Sequence, residues 1–367
     1  MVKHSQNSVL NEDMAYIFDK LTIEEKNKFK NSRILITGCG GFLGYYFMHF
    51  FNTYSDELGI EEILALDNFL TGTRDWLDEM TKANPRIKLH HFDIIKDDPE
   101  TISGIDKANL IIHAASIASP TFYRIYPLET LDANIVGLRR LLDYYSGKNI
   151  TGMLFFSSSE IYGDPFPEFI PTNEDYRGNV ATMGPRACYD EAKRFGETLC
   201  YIFGEKYGFP ISIARPFNNY GPGMNINDKR LPADFAKCVL EGRDLVMFSD
   251  GKPTRTFCYI SDAITGYIKI LLYGKTDVFN IGIDKPEISV FEFAELFKDN
   301  AQRLFEYKGK VEFDVPEDSH YMTDNPNRRC PDITKAKNIL GYDPGIYVNE
   351  GIGRYLKFLK INKGGLV

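Results

Sequence analysis

Arg33-Ile-Leu-Ile-Thr-Gly-Cys-Gly-Gly-Phe-Leu-Gly44 decides the fold. An apolar strand runs into a glycine turn, and a helix begins where the turn ends. Gly38, Gly41 and Gly44 each have a physical task in that arrangement. They allow a tight turn, let a pyrophosphate approach the backbone, and let the helix pack on the strand. The helix N-terminus then faces the phosphates. Three spaced glycines without a ligand would look the same in isolation. Their position between strand and helix is the context a dinucleotide site requires.

The chain on either side extends this reading. Glu62-Ile-Leu-Ala-Leu-Asp67 is a second strand ending in an acid. Asp67 follows the turn by about 20 residues, where a carboxylate binds a ribose diol and repels a 2′-phosphate, so NAD is expected rather than NADP. Lys88 to Ile94 is a third strand, with Asp93 placed to meet an adenine edge, and Ala108 to Ser116 a fourth. Small residues after His113 let a cofactor lie across the strand ends. His113 itself reads as a packed, hydrogen-bonded residue. Leu128 to Tyr145 reads as one amphipathic helix, followed by the strand Gly152–Phe156. That strand opens into Ser157-Ser-Ser-Glu-Ile-Tyr-Gly163, with hydroxyls and the Glu160 carboxylate where a doubly wound sheet holds its ligands.

Gly184-Pro-Arg-Ala-Cys-Tyr-Asp-Glu-Ala-Lys-Arg194 comes next. Tyr189 and Lys193 stand four residues apart, on one face of a helix. A tyrosine is a weak base at neutral pH, and a fixed ammonium beside it favours the phenolate. On spacing alone a solvated helix carries the same pair. The glycine turn and the Glu160 loop argue for chemistry.

With the strand Pro210–Arg215, the alternation of strand and helix predicts an α/β fold, a doubly wound parallel sheet of Rossmann type. Beyond Pro216 the pattern is mixed. Short strands are expected at 244–248, 278–282 and 310–315, a strand-to-helix segment at 257–273 and a helix at 289–305. The expected division is a helical extension over 1–31, with Met14, Ile17, Phe18, Leu21 and Ile23 facing inward. A dinucleotide-binding domain follows over 32–215 with 255–285. A smaller mixed α/β substrate-binding lobe covers 216–254 with 286–350.

The 367 residues suffice for a full core, and a formal charge of −8 argues against a nucleic-acid partner. Six scattered cysteines form no Cys-x-x-Cys pair, so neither a metal site nor a disulfide framework is expected. No leader or membrane-spanning run is read, and a cytoplasmic location is expected.

These motifs resemble the extended short-chain dehydrogenase/reductase family, in its nucleotide-sugar-modifying branch. The resemblance runs from about Ser32 to Tyr347. Besides the glycine turn it is carried by Asp67-Asn-Phe-Leu-Thr-Gly72, His113-Ala-Ala-Ser-Ile-Ala-Ser-Pro120, Ser158-Ser-Glu-Ile-Tyr-Gly-Asp164 and the Tyr189 segment. Arg255-Thr-Phe-Cys-Tyr-Ile-Ser-Asp262 and Arg329-Cys-Pro-Asp-Ile-Thr-Lys-Ala-Lys337 continue it. Within the branch, the decarboxylases of UDP-glucuronate are the nearest in pattern.

The resemblance implies bound NAD held by Gly38, Gly41, Phe42, Leu43, Gly44, Asp67, Asn68, Asp93, Ile94, Ala114, Ala115, Ser116, Asn134, Tyr189, Lys193 and Pro216. It implies Tyr189 as the base at a sugar 4-hydroxyl, Lys193 as its activator, and Ser158, Ser159 and Glu160 as the groups serving later steps. Ser119, Asn218, Arg255 and Arg329 would hold the UDP-sugar substrate, with Arg328 an equal candidate beside Arg329. Ser159 stands where 4,6-dehydratases carry Asp, which favours decarboxylation through a 4-keto intermediate. Dehydration and C4 epimerisation are the alternatives. A cofactor-bound sensor without turnover is the third reading, and the presence of Tyr189, Lys193 and Glu160 together argues against it. A homodimer is implied through the helices near 128–145 and 186–207, with Leu138, Leu141, Phe195 and Leu199 as candidate contacts. The chain departs from the decarboxylase pattern at Ile117, Ser158, Asn219, Gly223 and Lys229, which points to a divergent substrate.

Overall fold

The computed structural model describes residues 8–314 and 326–362. Its centre is a seven-stranded sheet: β1 (Arg33–Thr37), β2 (Glu62–Asp67), β3 (Ile87–His91), β4 (Leu110–His113), β5 (Gly152–Phe156), β6 (Ile211–Pro216) and β7 (Asp277–Ile281). The spatial order is β7-β6-β5-β4-β1-β2-β3, and every pairing is parallel. Ile34 lies beside Ile63 on one side and Leu110 on the other. The order reverses between β1 and β4, so the crevice for a ligand opens at their carboxyl ends.

Helices cover both faces, which is why these strands are continuous apolar runs. Ile34 and Ile36 point into a core shared with the helices Phe42–Tyr54 and Ile260–Leu271. Leu35, Leu64 and Ile111 point the other way, onto Leu138, Leu142 and Phe203. The strand expected near 278–282 is β7, which extends this sheet at its edge.

The segment read as one helix over 128–145 is interrupted. Helix Pro127–Asp132 passes through a π-turn at Ala133–Gly137 into helix Leu138–Tyr145. The extra residue lets Asn134 Nδ2 donate to the Thr130 carbonyl at 2.7 Å, and Gly137 lies where a methyl would meet Ile94 at 2.8 Å. Three of the four candidate dimer contacts are core. Leu138, Leu141 and Leu199 are 0%, 1% and 7% exposed, and of the four only Phe195, at 47%, faces solvent.

Beyond β6 the pieces are short. Leu245–Met247 pairs in parallel with Val311–Phe313, and the expected strand end Val315 lies outside the described residues. Thr254–Arg255 sits between Ile288–Ser289 and Arg328–Arg329. Helices Leu231–Glu241, Thr334–Leu340 and Val348–Ile361 were not anticipated. The helix Val290–Phe305 starts with a capping box between Ser289 and Glu292.

The described part of the N-terminal segment is helical, Ser8–Asp19 and Ile23–Asn27. Met14, Ile17 and Leu21 are buried, and Phe18 stacks on Tyr54 at 4.1 Å. Ile23, expected inside, is 79% exposed, because it opens the second helix on its solvent side. The anchor is Asp13, fully buried. Its carboxylate accepts from Tyr46 Oη at 2.8 Å, Tyr259 Oη at 2.7 Å and Arg354 Nη1 at 2.8 Å. These donors come from the helix after the glycine turn, from the start of helix Ile260–Leu271 and from the C-terminal helix. Asp13→Ala removes this acceptor from both tyrosine hydroxyls and leaves Arg354 only Glu350, and is expected to destabilise the protein by roughly 3 kcal/mol. A denaturant midpoint unchanged from wild type would contradict this.

Candidate active site

The carboxyl ends of the central strands open into a cavity of about 430 Å³. Its floor is the glycine turn. Gly38 has φ +77°, and a Cβ there would lie 2.6 Å from the Ala114 carbonyl carbon. A Cβ on Gly44 would meet the Cys39 carbonyl oxygen at 2.4 Å. Gly41 is the cap residue of helix Phe42–Tyr54, and only the Gly38 oxygen, at 3.4 Å, approaches its missing side chain. The helix N-terminus therefore faces the cavity with bare backbone, as a phosphate requires.

Asp67 ends β2 and ties it to this turn. Oδ2 accepts from the Gly40 amide at 2.8 Å and Oδ1 from the Phe69 amide at 2.7 Å. Burial raises its pKa, and those amides oppose the rise. Of the residues expected at the cofactor, Gly38, Gly41, Phe42, Leu43, Gly44, Ala114, Ser116, Tyr189, Lys193 and Pro216 line the cavity. Asp67, Asn68, Asp93, Ile94, Ala115 and Asn134 do not, and Asp67 reaches the wall only through Gly40. Ser116 Oγ and Ser157 Oγ are buried on the wall without a hydrogen-bond partner among the described residues. The glycine cradle and these unpaired hydroxyls fit NAD.

His113 is buried and shares a 2.8 Å hydrogen bond with Thr37 Oγ1, and burial pushes its pKa down to about 3. It is a neutral, packed residue, as expected.

Tyr189 and Lys193 lie on helix Ala187–Tyr207, 6% and 2% exposed. Both border the cavity. Tyr189 stacks on Tyr123 with ring centres 5.2 Å apart. The ammonium of Lys193 stands 5.5 Å from the Tyr189 ring centre and donates to the Phe156 carbonyl at 2.7 Å. The expected depression of Tyr189 is absent here. Burial pushes its pKa up to about 12, against a hydrogen bond with Ser158 and the nearby Arg230. Burial also pushes Lys193 down to about 7, so its charge is weakened and directed at a carbonyl.

Glu160 lies in the short helix Ser159–Tyr162, capped by Ser158 Oγ. Its Oε1 pairs with Arg329 Nη1 at 2.7 Å, and its Oε2 pairs with Arg186. Burial alone would raise its pKa, but Arg329, Arg186 and Arg255 outweigh that and hold it at about 2. These pairs stabilise the fold above the ordinary carboxylate range, and the contribution is lost as pH falls through about 2. Glu160 is therefore a fixed anion at neutral pH in this arrangement. It can take a proton only after its arginines move.

The expected substrate ligands divide. Arg329 is engaged beside Glu160, also donating to Ser159 Oγ at 2.9 Å and the Gly163 carbonyl at 3.1 Å. It lines the cavity there, with its guanidinium already engaged. Arg328 lies off the cavity, paired with Glu287 at 2.7 Å. Arg255, Asn218 and Ser119 do line the cavity. Arg255 donates to the Thr254 carbonyl at 2.8 Å, Asn218 Nδ2 to the Thr256 carbonyl at 2.9 Å, and Ser119 Oγ to the Asp228 carbonyl at 2.7 Å. At Gly223, with φ +84°, a Cβ would lie 2.6 Å from Tyr45, so no larger side chain fits. Ile117 packs with Tyr123 and Tyr189.

Arg186, Tyr123 and Arg230 also line the cavity and were not among the expected site residues. Arg186 carried a signal, being three residues before Tyr189 at a helix start. Nothing in the sequence marked Tyr123 or Arg230.

A profile of the NAD dependent epimerase/dehydratase family matches residues 34–282. The chain belongs to the NAD-dependent epimerase/dehydratase family. UDP-glucuronic acid decarboxylase 6 of Arabidopsis thaliana is 36% identical over 323 residues, spanning 88% of this chain and 87% of that protein. UDP-glucuronic acid decarboxylase 1 of Danio rerio is 35% identical over 339 residues, spanning 92% and 74%. UDP-glucuronic acid 4-epimerase of Bacillus cereus, solved with UDP-glucuronic acid and NAD, superposes with a TM-score of 0.74 at 22% identity. That match covers 90% of this chain and 99% of that one. As a family member the protein uses NAD. Gly38→Ala should force β1 and the Ala114 loop apart, so the purified variant should release little nicotinamide dinucleotide on denaturation. Cofactor content equal to wild type would count against the cradle.

Proposed function

We propose that the protein decarboxylates UDP-glucuronate to UDP-xylose through a 4-keto intermediate, with NAD restored in each cycle. The observation that carries this is the charge beside Tyr189. Arg186, Arg329 and Arg255 act on Glu160, Asp190 lies 3.7 Å from Arg186, and the charge of Asp164 also reaches Arg255. Three buried guanidiniums on the cavity wall fit a sugar that carries its own carboxylate. Similarity to decarboxylases along most of the chain supports the same reading.

Gly38, Gly41, Gly44, Ala114 and Ser116 would hold NAD, which when bound would supply the hydride acceptor for the sugar C4 and the donor that restores it. Tyr189, held by its stack on Tyr123 and by Ser158, would take the 4-hydroxyl proton as its phenolate, a form that the cationic nicotinamide of bound NAD would favour over the neutral phenol of this arrangement. The resulting β-keto acid loses CO2, with the C–C bonding pair moving into an enolate on the 4-oxygen. A proton delivered to C5 restores the carbonyl, and Tyr189 gives its proton back to the 4-oxygen as C4 is reduced again. Ser159 and Arg329, joined at 2.9 Å, lie beside Glu160 to orient the carboxylate and the proton donor. Asp67 is assigned to the cofactor ribose and Asp93 to its adenine.

Tyr189→Phe should lower turnover by about 10²–10⁴, with no reduced cofactor accumulating. Glu160→Gln should still allow oxidation at C4, so reduced-cofactor absorbance appears while UDP-xylose falls. Unchanged product formation by either variant, measured by mass spectrometry, would defeat these roles. If wild type leaves UDP-glucuronate untouched and removes water from another nucleotide sugar, dehydration replaces decarboxylation.

The reading includes a cytoplasmic homodimer. Six free cysteines suit a reducing compartment. Leu128, Leu131 and Val136 on one side, with Phe195 and Ile202 on the neighbouring helix, are 72%, 36%, 40%, 47% and 47% exposed. Together they form an apolar face suited to an isologous contact. Light scattering should give a dimer for wild type and a monomer for Phe195→Glu. A monomeric wild type at micromolar concentration ends this part.

A further inference from the structure

The ion pair between Arg186 and Glu160 has a carboxylate where a ligand's carboxylate could sit. Arg186 is 7% exposed at the start of helix Ala187–Tyr207, within one turn of Tyr189, and it borders the cavity. Its guanidinium pairs with Glu160 through Nη2, while its Nε makes no hydrogen bond among the described residues and stands 3.7 Å from Asp190. Tyr123, 1% exposed, lines the same cavity and stacks on Tyr189. Its hydroxyl is buried and has no hydrogen-bond partner among the described residues. Besides its burial, the charges that act on it are those of Arg186, Glu160 and Asp190, and its ring stacks on Tyr189, which places it in this cluster.

A buried hydroxyl without a partner is costly, and a ligand that relieves it must bring an oxygen or nitrogen. A ligand that also engages Arg186 gains most by bringing negative charge in the planar form a guanidinium binds at two points. We infer that Arg186 and Tyr123 form the receptor for the sugar carboxylate of a nucleotide-linked uronic acid. The substrate's carboxylate then takes the place of Glu160 at Arg186, and Glu160 stays with Arg329. This frees one Glu160 oxygen beside the reacting carbon and couples acid recognition to activation of Glu160. The inference rests on the uronic-acid reading above and names the residues that would enforce it.

The test compares binding of UDP-glucuronate and UDP-glucose, which differ at C6 by a carboxylate against a hydroxymethyl group. Titrations use the NAD-loaded enzyme and its Arg186→Gln, Arg186→Lys and Tyr123→Phe variants. Wild type should prefer UDP-glucuronate. Arg186→Gln should reduce that preference by about tenfold or more, through weaker UDP-glucuronate binding, as expected for a lost charge-assisted hydrogen bond. Arg186→Lys should recover part of it. Tyr123→Phe, which keeps the stack, should lose about two- to tenfold. If Arg186→Gln weakens both ligands equally or neither, Arg186 is structural and the inference is wrong. Should Arg186→Gln not fold, an unchanged preference in both Arg186→Lys and Tyr123→Phe overturns it instead. A wild type that prefers UDP-glucose would refute the uronic-acid reading itself, a result distinct from failure of the receptor.

Discussion

Between Gly38 and Ala114 there is no room for a methyl group. The two meet where the strand order reverses, and a Cβ at Gly38 would lie within 2.6–2.7 Å of three backbone atoms. This contact fixes how far β1 and β4 part at their carboxyl ends. The same turn starts helix Phe42–Tyr54, whose first turn faces the cavity, and is tied to the end of β2 through Asp67 and the Gly40 amide. One steric constraint thus sets the height of the phosphate-facing helix and the mouth of the crevice together.

The opposite wall is set by charge. Glu160, two residues beyond Ser158, is held by Arg186 from the start of the Tyr189 helix and by Arg329 from the last short strand. Those arginines are 143 positions apart in the chain, counting from 186 to 329. Their carboxylate partner joins the Tyr189 helix to the C-terminal segment. Buried ion pairs of this kind contribute little net stability and much geometry. Here they also keep Glu160 ionised, while burial holds Tyr189 high and Lys193 low. The site in this arrangement is poised for an anionic ligand before it is poised for proton transfer.

The N-terminal helices bear on the site from behind. Asp13 gathers hydroxyls from Tyr46 and Tyr259 and a guanidinium from Arg354. Asp262 similarly accepts from Tyr16 Oη at 2.6 Å and from the Ile346 amide at 2.8 Å. A segment read from sequence as a helical extension is bolted by buried polar groups to the helix that begins at the glycine turn.

The sequence by itself determined the parallel sheet, the glycine cradle and the Tyr189–Lys193 pair. Each is local: an apolar run, a glycine spacing or a four-residue offset carries its meaning within one turn of chain. It also marked Asp67 and Glu160, because one ends β2 and the other lies in the loop just past the carboxyl end of β5, where ligands gather once the sheet is recognised. The partners of Glu160 were not legible, since pairing Arg186 and Arg329 with it depends on how distant segments fold back. The same holds for Tyr123, an ordinary tyrosine until it is stacked on Tyr189 and denied a partner. Leu138, Leu141 and Leu199 show the opposite failure. Apolar residues at helical spacing look alike whether they face a core or a second subunit, and only the packed structure assigned these three to the core. The pKa values follow the same division. Residue type sets the starting value, but burial and the charges brought close by tertiary structure decide its direction.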